Sequence, residues 1–554
     1  MPNEIRSVQK LCAFLPVNFQ ATNILNAYSF TPVKQRNLKA CFYYILDTLY
    51  HMSQNRKWRE EYEKNGGYPL NSTIMNKIMG KSYLEALNIL EAQQVIVRSD
   101  SYQTGKKSKC VSLLKEYNST DIKILEVDHA TPVGKKWIVE QKQVNKKNIK
   151  ALESIPFVTK WFDPTRIEVD CEELHVFIEF YRSILVKKFS VNPKIKNKQI
   201  IENAINYRYN CMLSSIQSLL NGNMNLSKTG KDHRLHSFLS NIKKELRHLI
   251  TYDGQPLVSI DVKSCQPYLL SYLLLPKNWE KIKSILSSSS IPIYQINKLQ
   301  SSILMFGLFP ESDCSDGLQR KVFDEIVWKD DFYLQIMNKA SEMGHQDLFP
   351  DKKKTKKKII NIFFDSGWYM NNNEERNLFA KWFPKEEAFI EEIHKISRML
   401  DKKKSKDKNA VINLLPILLQ RVESMIMLEY VCNEISKELP DAPLLPVHDC
   451  IHTTPPYAEQ VRAIMERVLT AEVGVKPGIK VEYYNKQEIM DGLELLAQED
   501  WKEVIAMKHK KKLGIGKQAQ TDLKVGMKAP LLMKIPKKGD KQILSTRYVD
   551  LSDF

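Results

Sequence analysis

Two aspartates in this chain of 554 residues stand where a carboxylate is out of place. In "VSIDVKSCQPYLL" (258–270), the residues Leu257, Val258 and Ile260 predict a strand that ends on Asp261, with an apolar helical segment beginning after Pro267. In "LLPVHDCIHTT" (444–454), an apolar run stops at His448 and Asp449 and then resumes, which predicts strand, turn, strand. A carboxylate drawn into apolar surroundings is costly unless it is paired or holds a metal. Taken singly, each aspartate also fits an ordinary turn residue at a strand end. Taken together, two carboxylates on neighbouring strands can hold two magnesium ions about 3.5–4 Å apart, the arrangement that serves in-line displacement at phosphorus. Magnesium prefers oxygen ligands, so the backbone carbonyl of Val262 is a further candidate.

A third stretch carries cations. In "KKKTKKKIINIFFDSG" (352–367), Lys354, Lys358, Asn361 and Asp365 fall on one face of a predicted helix. A lysine on that face can meet a triphosphate and offset charge that grows during phosphoryl transfer. The plainer alternative is a solvated basic loop running into an apolar helix. In "LPILLQRVESMIMLEYV" (415–431), Gln420 and Ser424 share a face of an otherwise apolar helix, as a contact surface or as a polar stripe capping a core helix.

The rest of the chain must position these residues. Lys and Arg outnumber Asp and Glu by 83 to 65, a formal net charge of +18, which favours a polyanionic partner such as nucleic acid. No apolar run of about 18 residues and no signal-like start is evident, so no membrane partner is expected. The 9 cysteines form no CxxC pair, which suggests neither a zinc site nor a disulfide framework. The expected location is cytoplasmic, the host cytoplasm if the gene is carried by a phage. Residues 70–97 predict helix, turn, helix and a short strand. Residues 101–113, "SYQTGKKSKCVSL", then predict a hairpin with Lys106, Lys107 and Lys109 at its tip. Two helices followed by a basic hairpin resemble a winged helix-turn-helix, whose second helix and wing meet DNA. The expected division is a helical and winged-helix-like part over 1–115, a linker over 116–170, helices over 171–228, the Asp261 segment over 229–275, a helical part over 276–400, the Asp449 segment over 401–500, and a basic tail over 501–554.

"VSIDVKSCQPYLL" resembles motif A of family A DNA polymerases, the group containing bacterial DNA polymerase I, and "LLPVHDCIHTT" resembles its motif C. "DHRLHSFLSNIKKELRHLI" (232–250), with Arg234 and Asn241, is similar to the segment that precedes motif A. "KTKKKIINIFFDSG" is similar to motif B, with Lys354, Lys358, Asn361 and Gly367 at matching positions. "FAKWFPKEEAFIEEI" (379–393) resembles the Phe-Pro segment after motif B, and "YAEQVRAIMERVL" the helix behind the hairpin. The resemblance runs in order over residues 229 to 485.

The resemblance implies an α+β right hand: an antiparallel palm sheet bearing Asp261 and Asp449, helical fingers over 276–400, and a thumb of helices around 171–228. It implies template-directed addition of deoxynucleotides to a primer 3' end with two magnesium ions, without a proofreading domain, the partners being primer-template DNA and deoxynucleoside triphosphates. Asp261, Asp449 and Val262 would bind metal; Lys354, Lys358, Asn361 and Gln266 would meet the nucleotide; Arg234, Asn241, Gln420 and His448 would meet or support the primer-template. The chain departs from the family in three places. Gln266 replaces a Glu that blocks a ribose 2'-hydroxyl, Ile362 and Ser366 replace two aromatics of motif B, and Cys450 replaces an acidic residue after His-Asp. Other readings are a single-subunit RNA polymerase, a template-independent nucleotidyltransferase, and an inactive DNA-binding replication initiator.

Overall fold

The computed structural model describes residues 11–54, 58, 61–62, 65–99, 110–118, 122–150, 152–190, 198–228, 232–287, 296–297, 300–301, 323–327, 331–364, 373–404 and 413–498. These residues are mostly helical, with four small antiparallel sheets. None of their helices is long and apolar enough to cross a membrane. The wing-tip residues Lys106, Lys107 and Lys109, together with Asp365, Ser366, Gly367 and the basic tail, lie outside the described residues.

The N-terminal part comprises β1 (Cys12–Pro16), α1 (Pro32–Gln54), β2 (Tyr68–Pro69), α2 (Ser72–Met79), α3 (Ser82–Ala92), β3 (Ile96–Arg98), β4 (Cys110–Leu113) and β5 (Ile122–Glu126). β1 pairs with β5, and β2, β4 and β3 form a three-stranded sheet in that order. Asn71 starts α2 by accepting from the backbone N–H groups of Thr73 and Ile74 at 2.9 and 3.3 Å, which satisfies two donors the helix cannot pair. Met75, Ile78 and Met79 on α2 and Ala86, Leu87 and Leu90 on α3 are buried in one core with the apolar face of α1. The described segments are therefore helix, helix and two paired strands, in the expected order.

Residues 116–170 hold more structure than the expected linker. β5 is followed by α4 (Pro132–Lys150) and, further on, by β6 (Ile167–Val169). Val133 and Trp137 lie one turn apart on α4 and are both buried. The Trp137 indole meets the Tyr44 ring edge-on at 4.8 Å. The lysines of α4 cover its outer face and mask this apolar stripe in the composition. Two long helices follow, α5 (Cys171–Ser190) and α6 (Lys198–Leu220). α6 also grips the N-terminal part: its Gln217 amide donates to Asp47 at 2.6 Å and to the Cys12 carbonyl at 3.0 Å, and the Asn210 carbonyl accepts from Tyr50 at 2.7 Å.

The remaining elements build the central sheet and its supports. Among them are β7 (Ile250–Tyr252) and β8 (Gln255–Pro256), which pair beside β6, then β9 (Val258–Val262), α7 (Cys265–Leu273), α8 (Lys352–Phe364), α9 (Leu414–Ser424), β10 (Leu445–Val447), β11 (Cys450–Thr453), α10 (Ala458–Val473) and β12 (Ile479–Tyr483). After α9 the same helix runs on as a π segment, Met425–Val431, and an α segment, Cys432–Glu438. The sheet order is β10-β11-β9-β12, every pair antiparallel, so β9 lies inside it. Val258, Ile260 and Val262 alternate with Ser259 and Asp261, and the apolar set joins the core with residues of α7 and α10. The lysine run belongs to a helix. Thr355, Ile359, Ile362 and Phe363 give α8 a buried face, and Asp351 caps its start by accepting from the Lys354 N–H at 2.7 Å.

Candidate active site

Asp261 reaches the site from the inside strand β9, facing away from the apolar core. The register puts Cys450 of β11 directly across from it on one side and Lys480 of β12 on the other. Asp449 sits in the two-residue turn between β10 and β11, closed by the Val447–Cys450 pair. The Asp449 carbonyl accepts from the Val262 N–H at 3.2 Å, which ties this turn to the end of β9. The two aspartates are thus brought together by strand pairing, from segments far apart in the chain.

Backbone geometry aims the site residues. His448 has φ +57, Ser264 φ +52 and His233 φ +56, all in the left-handed region that non-glycine residues rarely adopt. Each immediately precedes a site residue: Asp449, Cys265 or Arg234. Such conformations cost about 1–3 kcal/mol each and persist only where surrounding contacts impose them.

The two carboxylates oppose each other electrostatically. Burial, and then the charge of Asp449, pushes the Asp261 pKa up to about 7, while Lys244 and Lys356 pull it down. Burial also raises Asp449, against the lowering effects of Arg234, Lys356 and the Cys265 thiol. A divalent cation between the two would relieve both burial and like-charge repulsion. The two carboxylates offer hard oxygen donors of the kind magnesium prefers. Among the described residues no group of three or more His, Cys, Asp or Glu side chains is placed to hold a metal.

The lysines of α8 divide. Lys358 is paired with Glu375 at 2.6 Å and also donates to the Leu348 carbonyl. Lys354 pairs with Asp351 at 2.9 Å. Lys356, which spacing alone did not single out, is the α8 lysine whose charge acts on both Asp261 and Asp449; its Nζ also lies 5.8 Å from the Tyr333 ring centre. Asn361 is half-buried on the same helix.

On the other flank, Glu423 of α9 is 1% exposed, and its Oε2 accepts from Arg234 Nη2 at 2.6 Å and from Gln266 Nε2 at 2.9 Å. Burial lifts the Glu423 pKa to about 7, with Arg234 opposing and Asp449 adding to the rise. The sequence held one signal for this residue: a Glu inside an apolar helix needs a partner. Gln420, one turn earlier, is half-buried, and Ser424 donates to the His233 carbonyl at 2.5 Å. His448 is half-buried with its ring 6.0 Å from that of His236, and burial together with Arg234 and His236 pushes its pKa down to about 4, so it is neutral at pH 7. Asn241 is exposed at the end of a short helix, Phe238–Asn241. On the same face of the sheet as Asp261, His452 of β11 is fully buried between Tyr484, at 2.9 Å, and Arg247, at 3.3 Å.

No protein-family model matches the chain, and no curated protein matches it. Among solved structures, the chain is similar to the POL domain of Pol1 from M. smegmatis in complex with DNA primer-template and dNTP. The similarity covers 59% of this chain and 68% of that one, at 12% identity and a TM-score of 0.33.

Proposed function

We propose that the protein is a template-directed DNA polymerase that adds deoxynucleotides to a primer 3' end. The observation that carries this reading is the pairing of β9 with the β10–β11 hairpin, which sets Asp261 beside Asp449, where the charge of Lys356 on α8 acts on both. In this reading the antiparallel sheet is the palm of a right hand, α8 and its neighbours are the fingers, and α5 and α6 are the thumb. The α2, α3, β3 and β4 segments form a winged helix that adds duplex affinity.

In the reaction the primer 3' oxygen attacks the α-phosphorus, a new P–O bond forms, and the bond to the pyrophosphate oxygen breaks. The hydroxyl proton passes to solvent and the leaving pyrophosphate carries the electron pair. Asp261, Asp449 and the Val262 carbonyl would hold two magnesium ions, which when bound acidify the hydroxyl and neutralise the leaving group. Lys356, with Lys354 and Lys358 on the same helix, draws the triphosphate toward the carboxylates. Asn361 of α8 supports the nucleotide, and Arg234, Asn241, Gln420 and His448 orient the primer-template.

The test is primer extension with magnesium, offering dNTPs and NTPs separately on DNA and RNA templates. Incorporation of dNTPs on DNA, lost in Asp261→Ala and Asp449→Ala, is the expected result. Efficient RNA synthesis with dNTPs rejected would overturn the DNA polymerase reading, and no incorporation of any nucleotide would overturn the polymerase reading altogether.

A further inference from the structure

Helix α4 turns one face inward and is anchored along its length. Val133 and Trp137 are buried, and the Thr131 hydroxyl accepts from the Gly134 N–H at 3.1 Å where the helix begins. Gly134 packs so closely on the preceding loop that a Cβ there would lie 2.4 Å from the Asp128 carbonyl oxygen. Glu140, the one acidic residue of α4, pairs with Lys77 of α2 at 4.0 Å. Further along, the Asn145 amide donates to the Gly222 carbonyl, and its oxygen accepts from the Met224 N–H at 3.3 Å. Gly222 and Met224 follow α6, on the stretch whose Ser227 pairs with His236, close in sequence to Arg234. The helix is therefore held both by the N-terminal part and by the segment that leads into the site.

The opposite face carries a stripe of cations. Lys135, Lys142, Lys146 and Lys150 fall at i, i+7, i+11 and i+15, all are exposed, and they run about 22 Å along the helix. Val139 and Ile149 stand between them, 51% and 37% exposed. None of the four lysine side chains has an ion-pair or hydrogen-bond partner among the described residues. Other exposed helices of this chain are built differently. Lys395 pairs with Glu392 at 2.5 Å, Lys437 with Glu434 at 3.2 Å, and Arg462 with Glu459 at 2.8 Å, each within one turn. Such pairs support a solvated helix, whereas lysines four apart, as in Lys142–Lys146 and Lys146–Lys150, repel each other.

A stripe of unpaired cations on a fixed helix is complementary to a regular row of anions. The phosphates of a nucleic-acid strand form such a row, and each one neutralised by a lysine releases counterions, which favours binding. Contacts of this kind fix position and orientation without reading sequence. We infer that the outer face of α4 is a docking surface for the phosphate backbone of duplex DNA. It is built from none of the residues around the two carboxylates, and it needs neither the polymerase reading nor the winged-helix segments. A duplex bound here lies on a ridge that Asn145 ties to the stretch leading to Arg234.

The test titrates a covalently closed dumbbell of duplex DNA, which offers no 3' end to a polymerase site, against three full-length proteins. The first is the unmutated chain. The second, the ridge variant, combines Lys135→Gln, Lys142→Gln, Lys146→Gln and Lys150→Gln. The third loses the same charge at ion-paired lysines elsewhere, through Lys283→Gln, Lys395→Gln, Lys437→Gln and Lys476→Gln. Gln has nearly the helix propensity of Lys, so the ridge variant should melt with the unmutated chain. At about 0.1 M salt it should bind the dumbbell about tenfold or more weakly. Its slope of log affinity against log salt should be lower by about 3–4, the scale of four phosphate contacts. The third protein should stay close to the unmutated slope. A third protein that falls as far as the ridge variant would show a diffuse charge effect and overturn the proposal, as would equal slopes in all three. Vesicles of phosphatidylserine and phosphatidylcholine form a second arm. Loss of vesicle binding in the ridge variant, with dumbbell binding unchanged, would give the surface to a membrane and overturn the DNA assignment. Because the dumbbell has no primer end, either failure leaves the polymerase reading untouched.

Discussion

The backbone N–H of Val262 donates to the carbonyl oxygen of Asp449 at 3.2 Å, so the end of one strand holds the turn of another hairpin in place. This bond is part of what fixes the distance between the two carboxylates of the site. Asp261→Ala or Asp449→Ala is expected to lower incorporation by about a thousandfold or more. Duplex affinity should change little, since phosphate contacts by Lys and Arg dominate it. Single-turnover extension beside a filter-binding titration reads both quantities, and a variant that keeps more than a tenth of the rate would sink the two-carboxylate site.

The α8 lysines give a prediction that separates neighbours. Lys356 already acts on both aspartates, whereas Lys358 must leave Glu375 before it can reach a triphosphate. Lys356→Ala is expected to raise KM for the nucleotide and slow transfer, a loss of about 2–4 kcal/mol in the transition state. If Lys358 also serves the triphosphate, Glu375→Gln frees it and lowers KM. If Lys358 only anchors the helix, the same change lowers thermal stability and leaves KM where it was.

Asp261 links stability to pH. In the metal-free protein its pKa stands at about 7 against an ordinary 3.8, because of burial and then Asp449. The folded state holds this proton more tightly than the unfolded chain. The carboxylate therefore costs nothing below about pH 4, and its penalty grows as pH rises toward 7. Metal-free Asp261→Asn should be more stable than the unmutated protein at pH 8 by roughly 1–2 kcal/mol, discounted for its partial exposure. The gap should close near pH 4, and added magnesium should narrow it at pH 8. Equal melting curves at both pH values would contradict this.

The N-terminal part is bound to α6 through Asp47, Gln217 and Tyr50, so its deletion would expose core as well as remove the proposed DNA-binding segments. Charge reversal at Lys106, Lys107 and Lys109 is the cleaner test. It should weaken duplex binding and lower the salt slope of log affinity by up to ~3, the value of three phosphate contacts, while sparing extension at saturating primer-template. An unchanged slope would leave the helix pair as a scaffold.

The sequence made the central sheet legible because its signals are local. Val258, Ile260 and Asp261 alternate within one strand, and His448 and Asp449 interrupt one apolar run. Glu423 was hidden because its partners lie far away in the chain, Arg234 by 189 positions and Gln266 by 157. Lys356 was hidden for a different reason. Seven residues of almost unbroken lysine show no periodicity, and only the buried Thr355 and Ile359 fix which lysines turn outward. The helix α4 escaped because Val133 and Trp137 are too few to outweigh a lysine-rich composition. Charge dominates such averages, while packing is decided by a few apolar side chains.

The π segment Met425–Val431 sets a constraint on length rather than on identity. A π turn accommodates one residue more than the α-helix around it, so a deletion of one codon here could be absorbed by ordinary α-helix. Closing the π turn in this way restores the α-helical phase, so Glu423 and Ser424 ahead of the segment and Cys432–Glu438 beyond it would keep their places. A second lost codon has no π turn left to absorb it, and it rotates the helix beyond by about 100°. The hairpin bearing Asp449 follows that helix and would then lose its registration on β9. Among in-frame changes to this gene, loss of two codons between 425 and 431 should therefore yield a protein that no longer assembles its two carboxylates, while loss of one should be far milder.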